Sequence, residues 1–197
     1  MSDPETLAFY STGAGDYARF VGDGSDNPWL IRFMDRLPPE CAVLDFGCGH
    51  GWASAVMKAA GMRVTAMDGS EGFAAEAKIR YDLDVKIATF DELADVDAFD
   101  GLWVSFSLLH DRREAFSDHL IALRRAARSG ALLYLGLKEG EGRQRDTLGR
   151  LYTYFSETEV RAALDMSGWQ LALLERQTEK GLAGTDDVAL HIFATTR

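Results

Sequence analysis

The segment Val43–Gly51, with the sequence VLDFGCGHG, constrains the fold of this chain more than any other. A short apolar run reaches Asp45, and glycines follow at the alternate positions 47, 49 and 51. This pattern is typical of a buried strand that turns sharply into a helix, here one that begins near Trp52. Because glycines leave the turn free of side chains, a small ligand can bind almost against the main chain.

The acids near this turn indicate which kind of ligand binds. The spacing Gly47-x-Gly49-x-Gly51 differs from the G-x-G-x-x-G of dinucleotide sites. A pyrophosphate in the turn would be repelled by Asp45, at a cost of roughly 3 kcal/mol for each like-charge pair. A ligand with an ammonium and a sulfonium, such as S-adenosylmethionine, would be attracted instead. Asp68 follows the next strand-like run about 20 residues later, where an acid can accept both ribose hydroxyls.

The chain resembles the class I S-adenosylmethionine-dependent methyltransferases, and within them the small bacterial single-domain type. The matching segments occur in the order typical of that family: Val43–Gly51, Val64–Ser70, Ile87–Leu93, Phe99–His110 and Gly130–Glu139. The resemblance implies a Rossmann-like three-layer α/β/α sandwich whose seven-stranded sheet is mostly parallel with an antiparallel last strand. The alternation of strand and helix patterns independently favours an α/β fold with a mostly parallel sheet.

Periodicity and capping signals predict the individual elements. Strands are expected at Ala42–Phe46, Arg63–Met67, Asp84–Ile87, Gly101–Val104, Ala131–Leu137, Trp169–Glu175 and Val188–Thr195, the last two as a hairpin. Helical segments are expected at Leu7–Phe20, Pro28–Leu37, Trp52–Ala60, Glu71–Tyr81, Asp111–Arg128 and Ser156–Ser167, with a mobile loop at Lys138–Arg150. We expect one methyltransferase domain over residues 1–197, with a helical lid segment at 1–40, a cofactor-binding half at 41–137 and a substrate-side part at 138–197.

Composition limits the acceptor. The chain has 21 basic and 31 acidic residues and a net charge of −10, which disfavours nucleic acids and favours a small molecule.

The longest apolar stretch, Ala131–Leu137, is too short to span a membrane, and the acidic N-terminus does not have the pattern of a signal peptide. Cys41 and Cys48 are interpreted as reduced thiols, so we expect a cytoplasmic protein without a bound metal. The oligomeric state stays open.

Residues that directly follow strands are the first candidates for binding the cofactor, because ligands of open α/β sheets bind there. With a tyrosine of the lid, they are Tyr17, Asp45, Gly47, Cys48, Gly49, Asp68, Gly69, Ser70, Thr89, Phe90, Ser105 and Phe106. The resemblance places at Thr89 a contact to the adenine amino group that an Asp usually makes; Asp91 is an alternative. Asp68 could instead be a helix cap, and Tyr17 could be ordinary core packing.

The acceptor side is predicted from His110 and the segment after Leu137. His110 is the candidate general base, although a lone His near an apolar run is more often a packed residue. Tyr10, Lys138, Arg143, Arg150 and Tyr152 are the candidate substrate-binding residues, and the basic ones among them could hold a carboxylate or phosphate. A solvated loop is the alternative interpretation of these cations.

The function expected is methyl transfer from S-adenosylmethionine to a small-molecule acceptor by in-line displacement. A base is needed only if the acceptor is a hydroxyl or a protonated amine. Two alternatives stay open from the sequence: an NAD-dependent oxidoreductase on a similar sheet, and a non-catalytic domain that binds S-adenosylmethionine for regulation.

Overall fold

The computed structural model describes residues 3–21, 24–181, 184 and 186–196. Its strands are β1 (Ala42–Phe46), β2 (Arg63–Asp68), β3 (Val85–Ile87), β4 (Phe99–Ser105), β5 (Ala127–Lys138), β6 (Arg143–Arg145), β7 (Leu151–Thr153), β8 (Trp169–Lys180) and β9 (Asp186–Thr196). Its α-helices are α1 (Pro4–Thr12), α2 (Ala14–Val21), α3 (Pro28–Met34), α4 (Trp52–Ala59), α5 (Glu71–Tyr81), α6 (Phe116–Ala126) and α7 (Glu157–Met166). Short 3-10 turns lie at Phe90–Glu92, Leu108–His110 and Arg113–Ala115.

Seven of the strands form one sheet in the order β3-β2-β1-β4-β5-β9-β8. The pairs from β3 to β5 are parallel, and β9 runs antiparallel to both of its neighbours, β5 and β8. The predicted Rossmann-like fold with an antiparallel last strand is therefore confirmed. Because the order reverses between β1 and β4, the carboxyl ends of these two strands flank a crevice where ligands bind in such sheets.

The central strands bury side chains on both faces, which explains their continuous apolar runs. Leu102 and Val104 of β4 pack with α6 and α7 in one cluster, whereas Trp103 between them packs with α3 and α4 in another. Successive side chains of a strand point to opposite faces, so this alternation places helices on both sides of the sheet. Among the described residues, none of the helices combines the length and apolar character that crossing a membrane requires.

The largest departure from the predicted elements is at Asp111–Arg128. The Asp111 carboxylate does not cap a helix there: it contacts His119 Nε2 at 2.9 Å and accepts the N–H of Arg112 at 2.7 Å. One 3-10 turn, Leu108–His110, precedes Asp111 and another, Arg113–Ala115, follows it, so α6 begins only at Phe116. The helix ends at Ala126 because the chain enters β5 there, four residues before the predicted start of that strand.

The expected loop at Lys138–Arg150 is also partly wrong. Lys138 still belongs to β5, and Arg143–Arg145 pairs with Leu151–Thr153 in a two-stranded antiparallel sheet, which we call the β6–β7 hairpin. Its hydrogen bonds hold the basic segment against the N-terminal helices, as described below. The lead-in predicted at Leu7–Phe20 is two helices that meet at Gly13, and α3 ends at Met34 rather than Leu37. Residues 1, 2, 22, 23, 182, 183, 185 and 197 of the predicted lid and closing segments lie outside the described residues.

The sheet core predicts a matched pair of stability changes. Ile192 on β9 is fully buried, whereas Ile79 on α5 is 78% exposed. Ile192→Ala should lower the free energy of unfolding by roughly 2–5 kcal/mol, because it leaves a cavity in a packed site. Ile79→Ala should change it by about 0.5 kcal/mol or less. Urea denaturation of both variants checks this, and equal losses would contradict the assignment of the core.

Candidate active site

A cavity of about 1260 Å³, its open mouth included, lies at the carboxyl ends of β1, β2 and β4. We call it the cofactor cavity. Every residue that the sequence predicted for cofactor binding lines it: Tyr17, Asp45, Gly47, Cys48, Gly49, Asp68, Gly69, Ser70, Thr89, Phe90, Ser105 and Phe106. Their individual contacts to a cofactor stay predictions.

The glycine turn after β1 is fixed by its own backbone. The N–H groups of Gly47 and Cys48 donate to the carbonyl of Met67 at 2.8 and 3.0 Å. Gly47 has φ +77°, and a Cβ there would lie 2.3 Å from the Cβ of Ser107. The Ser107 hydroxyl in turn donates to the carbonyl of Phe46 at 2.7 Å. The first glycine of the turn is thus required both by its left-handed backbone and by the close approach of Ser107.

Asp68 fixes the second turn against the first. Its Oδ2 accepts the N–H of Gly49 at 2.8 Å and its Oδ1 accepts the N–H of Ser70 at 2.8 Å. The cap of α5 is Ser70, whose hydroxyl accepts the N–H of Phe73, so the alternative of Asp68 as the helix cap is wrong. Burial raises the pKa of Asp68, and the backbone donors oppose this. A carboxylate oxygen accepts more than one hydrogen bond, so Asp68 can still receive ribose hydroxyls.

Asp45 is a buried acid whose described hydrogen-bond partner is neutral. It is 2% exposed, and its Oδ2 accepts the Ser54 hydroxyl at 2.7 Å. Burial raises its pKa to about 7, the Ser54 hydrogen bond opposes this rise, and the nearby charge of Asp68 adds to it. A cationic ligand would stabilise the ionised form. The residues at this turn therefore fit the ammonium and sulfonium of S-adenosylmethionine.

Thr89, the residue predicted to contact the adenine, is hydrogen-bonded within the protein. The Thr89 hydroxyl donates to Glu92 Oε2 at 2.9 Å, and the Thr89 N–H donates to the same oxygen at 2.7 Å. Thr89 thus begins the 3-10 turn at Phe90–Glu92, and its hydroxyl is left as an acceptor, which suits an amino group. The ring of Phe90 lies 4.9 Å from that of Phe46 and lines the cavity. Asp91, the alternative, is exposed.

A second cavity of about 820 Å³, which we call the acceptor cavity, adjoins the first. The two share Tyr10, Tyr17, Phe106, His110 and Glu179. The acceptor cavity is also lined by other predicted substrate residues, Lys138, Arg150 and Tyr152. Arg143, by contrast, is exposed on β6 and lines neither cavity.

His110 and Tyr10 form a hydrogen-bonded pair where the cavities meet. His110 Nδ1 lies 2.9 Å from the carbonyl of Leu151, which only accepts, so this nitrogen carries the proton. His110 Nε2, 3.0 Å from the Tyr10 hydroxyl, is then the acceptor of that O–H. Arg150 Nη1 donates to the same hydroxyl at 3.4 Å. Burial lowers the pKa of His110 to about 4, so the ring is neutral at pH 7.

The N-terminal helix α1 is tied to the β6–β7 hairpin over this site. Asp3 receives both Arg145 Nη1 and Nη2 at 3.0 Å, and the Leu151 N–H donates to the Thr6 hydroxyl at 2.9 Å. Thr6 and Tyr10 of α1 line the cofactor cavity. Helix α1 thus borders the site and is supported by the hairpin, while its role as a lid stays a prediction.

Sequence reasoning missed a hydrogen-bonded group on three adjacent strands. His191 of β9 is 1% exposed, with Nδ1 2.8 Å from the Tyr134 hydroxyl on β5 and Nε2 3.0 Å from Glu179 on β8. The ring of Trp29 stacks on His191 at 3.9 Å. All four residues line the cofactor cavity. The partners of His191 are distant in sequence, so the sequence does not reveal this group. Its one sign in the sequence is a histidine inside the apolar run Val188–Thr195.

Comparison with known proteins agrees with the fold and the glycine turn. Residues 43–130 match the methyltransferase domain family, over the strands that carry the glycine turn and Asp68. The sheet has the Rossmann-like α/β fold of the S-adenosylmethionine-dependent methyltransferases.

Similar proteins act on different kinds of acceptor. The chain is 33% identical over 130 residues to the tRNA U34 carboxymethyltransferase of Cellvibrio japonicus, a match that covers 61% of this chain but 38% of that relative. In structure it resembles the 1,6-didemethyltoxoflavin-N1-methyltransferase of Burkholderia thailandensis, solved with 1,6-didemethyltoxoflavin and S-adenosylhomocysteine bound. That likeness has a TM-score of 0.78 at 21% identity, over 98% of this chain and 87% of that one. An S-adenosylmethionine-dependent methyltransferase of Methanosarcina mazei has a TM-score of 0.75 at 18% identity, over 86% and 97%. Identities this low show the fold alone.

The close approach of Ser107 predicts a specific loss on enlarging Gly47. Gly61 also has a positive φ, +86°, but a Cβ there would meet nothing within 4 Å. Gly61→Ala should therefore cost only the backbone strain, about 1–2 kcal/mol of the free energy of unfolding. Gly47→Ala should cost roughly 1–3 kcal/mol more and weaken binding of S-adenosylhomocysteine, because the turn must shift. Denaturation and calorimetric titration measure both, and equal behaviour of the two variants would contradict this account of the turn.

The buried Asp45 predicts two linked pH dependences. The native state without cofactor keeps a proton that the unfolded chain releases, so the free energy of unfolding should fall as the pH rises from about 4 to about 7. Affinity for S-adenosylmethionine should rise over the upper part of that range, because the cation favours ionised Asp45. Asp45→Asn should remove both slopes, whereas Asp84→Asn, at a side chain that is 91% exposed, should keep them. Denaturation and calorimetric titration between pH 5 and 8 measure the two slopes. Slopes that are unchanged in Asp45→Asn would contradict the prediction.

Proposed function

We propose that this protein is an S-adenosylmethionine-dependent methyltransferase. We propose further that it acts on a small acceptor that carries an acidic group and binds in the acceptor cavity. The observation that supports this most directly is the wall shared by the two cavities. Tyr10, Phe106 and His110 face both, so a molecule in the acceptor cavity lies beside the cofactor.

The charges of the acceptor cavity support an anionic acceptor. Its wall carries Lys138, Arg150 and Lys180 against Glu179 and Asp187. Lys138 Nζ lies 2.6 Å from Asp187 Oδ2 and 3.9 Å from the centre of the Tyr152 ring. These contacts hold its ammonium at the cavity wall, where a carboxylate, phenolate or thiolate would be attracted.

Bound S-adenosylmethionine supplies a methyl group that is already activated by the sulfonium. The protein then has to align the acceptor with it and exclude water. His110 accepts the Tyr10 O–H and orients that hydroxyl at the junction of the cavities. As a base it would be weak, since burial lowers its pKa to about 4. An acceptor that ionises by itself therefore suits this site better than an alkyl hydroxyl, which needs a strong base.

Three other interpretations compete with this proposal. A tRNA acceptor is favoured by the function of the Cellvibrio japonicus relative, but this chain spans only 38% of that protein and carries a net charge of −10. A small aromatic acceptor has a parallel in the Burkholderia thailandensis enzyme and its bound 1,6-didemethyltoxoflavin. A non-catalytic role would leave the acceptor cavity without a ligand.

A cytoplasmic location stays a prediction, supported by two buried free cysteines.

The acceptor proposal is tested by turnover. Release of S-adenosylhomocysteine should be found with members of a panel of small carboxylic acids, phenols and thiols, and not with tRNA. Lys138→Gln should raise KM for the best acid roughly tenfold or more, as expected for the loss of a charge-assisted hydrogen bond of about 1.5–3 kcal/mol. The same substitution at the exposed Lys58 on α4 should leave KM unchanged.

Three results would overturn the proposal. Turnover with tRNA alone would place the acceptor outside the cavity, and turnover with amines alone would remove the requirement for an anion. An equal rise in KM for Lys138→Gln and Lys58→Gln would show that total charge, and not the cavity, matters.

A further inference from the structure

His50, in the glycine turn, is a buried side chain that forms no hydrogen bond to the described part of the chain through its ring nitrogens. It is 1% exposed and lines the cofactor cavity. Among the described residues, neither Nδ1 nor Nε2 has a hydrogen-bond partner. The neighbouring rings of Tyr17, Phe73 and Tyr81 lie with centroids 6.2–6.4 Å away. A neutral imidazole has one N–H donor and one acceptor nitrogen, and leaving them buried and unpaired costs stability.

The other three histidines behave differently. His110 bonds Leu151 and Tyr10, His191 bonds Tyr134 and Glu179, and His119 bonds Asp111. Each thus has a use for at least one ring nitrogen within the fold. A buried polar group without a partner is uncommon in a native protein and indicates a missing ligand or water. His50 is the histidine that borders the turn where the cofactor binds.

Four backbone N–H groups of the turn are used within the protein. The N–H groups of Gly47 and Cys48 donate to Met67, that of Gly49 donates to Asp68, and that of Gly51 donates to Cys48. Among the described residues that line the cofactor cavity there is no lysine or arginine, while Asp45, Asp68 and Glu179 supply three acids. Because this lining has no cationic side chain, a neutral side-chain donor is suited to the carboxylate of the methionine moiety.

We propose that the imidazole N–H of His50 is a hydrogen-bond donor to the carboxylate of S-adenosylmethionine. Burial lowers the pKa of His50 to about 4, so the ring at pH 7 is a neutral donor and not a cation. The ring of Tyr17, whose centroid lies 6.2 Å from that of His50, also lines this cavity. The proposal rests on the cofactor and is independent of the acceptor proposed above, because cofactor binding is measured without an acceptor.

The test compares two ligands on one variant. His50→Phe keeps a ring of similar size but removes both nitrogens. Calorimetric titration should show binding of S-adenosylhomocysteine weakened about tenfold or more. Binding of 5′-methylthioadenosine, which keeps the nucleoside and sulfur but has no carboxylate, should stay within about twofold. Without ligand, the melting temperature of His50→Phe should equal or exceed that of the wild type, because an unpaired buried polar group is gone.

A second readout keeps the proposal falsifiable if His50→Phe does not fold. In the wild type, ¹⁵N resonances of the His50 ring should shift on addition of S-adenosylhomocysteine and not on addition of 5′-methylthioadenosine, while the His119 ring serves as an internal control. Unchanged affinity of His50→Phe for S-adenosylhomocysteine, or equal weakening for both ligands, would overturn the proposal. So would ring resonances that respond to both ligands alike.

Discussion

The Asp68 carboxylate holds the ends of β1 and β2 together, since it accepts one N–H from the turn after each strand. The Met67 carbonyl beside it accepts the N–H groups of Gly47 and Cys48. Both turns thus keep their shape through bonds within the protein, and the cavity between them is pre-formed. The N–H groups of Gly47, Cys48 and Gly49 are therefore used within the protein, and side chains of the cavity are left to contribute to recognition of the ligand's anionic end.

Charge is divided between the two cavities. The charged residues of the cofactor cavity are the acids Asp45, Asp68 and Glu179. The acceptor cavity shares Glu179 and has Asp187, but it adds the three cations Lys138, Arg150 and Lys180. A cationic cofactor and an anionic acceptor would each meet the opposite charge on its own side. The strongly acidic total of the chain hides this division, because a net charge describes the whole surface and not the walls of a cleft.

The glycine turn, Asp45 and Asp68 could be found from the sequence because they are local: each directly follows a strand whose apolar run is visible. The mostly parallel sheet followed from the alternation of strand and helix patterns. What the sequence did not reveal depends on contacts between distant segments. Asp111 was predicted to begin a helix because its contact with His119 is not evident from the sequence. Arg143 was predicted to bind substrate, but it lies on the β6–β7 hairpin and is exposed.

Phe106 stands at the boundary of the two cavities in a conformation that a non-glycine residue rarely adopts, with φ +52°. Such strain persists only where surrounding contacts impose it, and it is found most often at functional sites. The Phe106 N–H donates to the carbonyl of Gly136 on β5 at 3.0 Å, and a Cβ on Gly136 would lie only 3.1 Å from the Phe106 ring. The ring edge also meets His191 at 5.8 Å between centroids. Gly136 on β5 thus leaves room for the ring of Phe106. Phe106 lies between the cofactor cavity and the acceptor cavity, where a methyl group would be transferred.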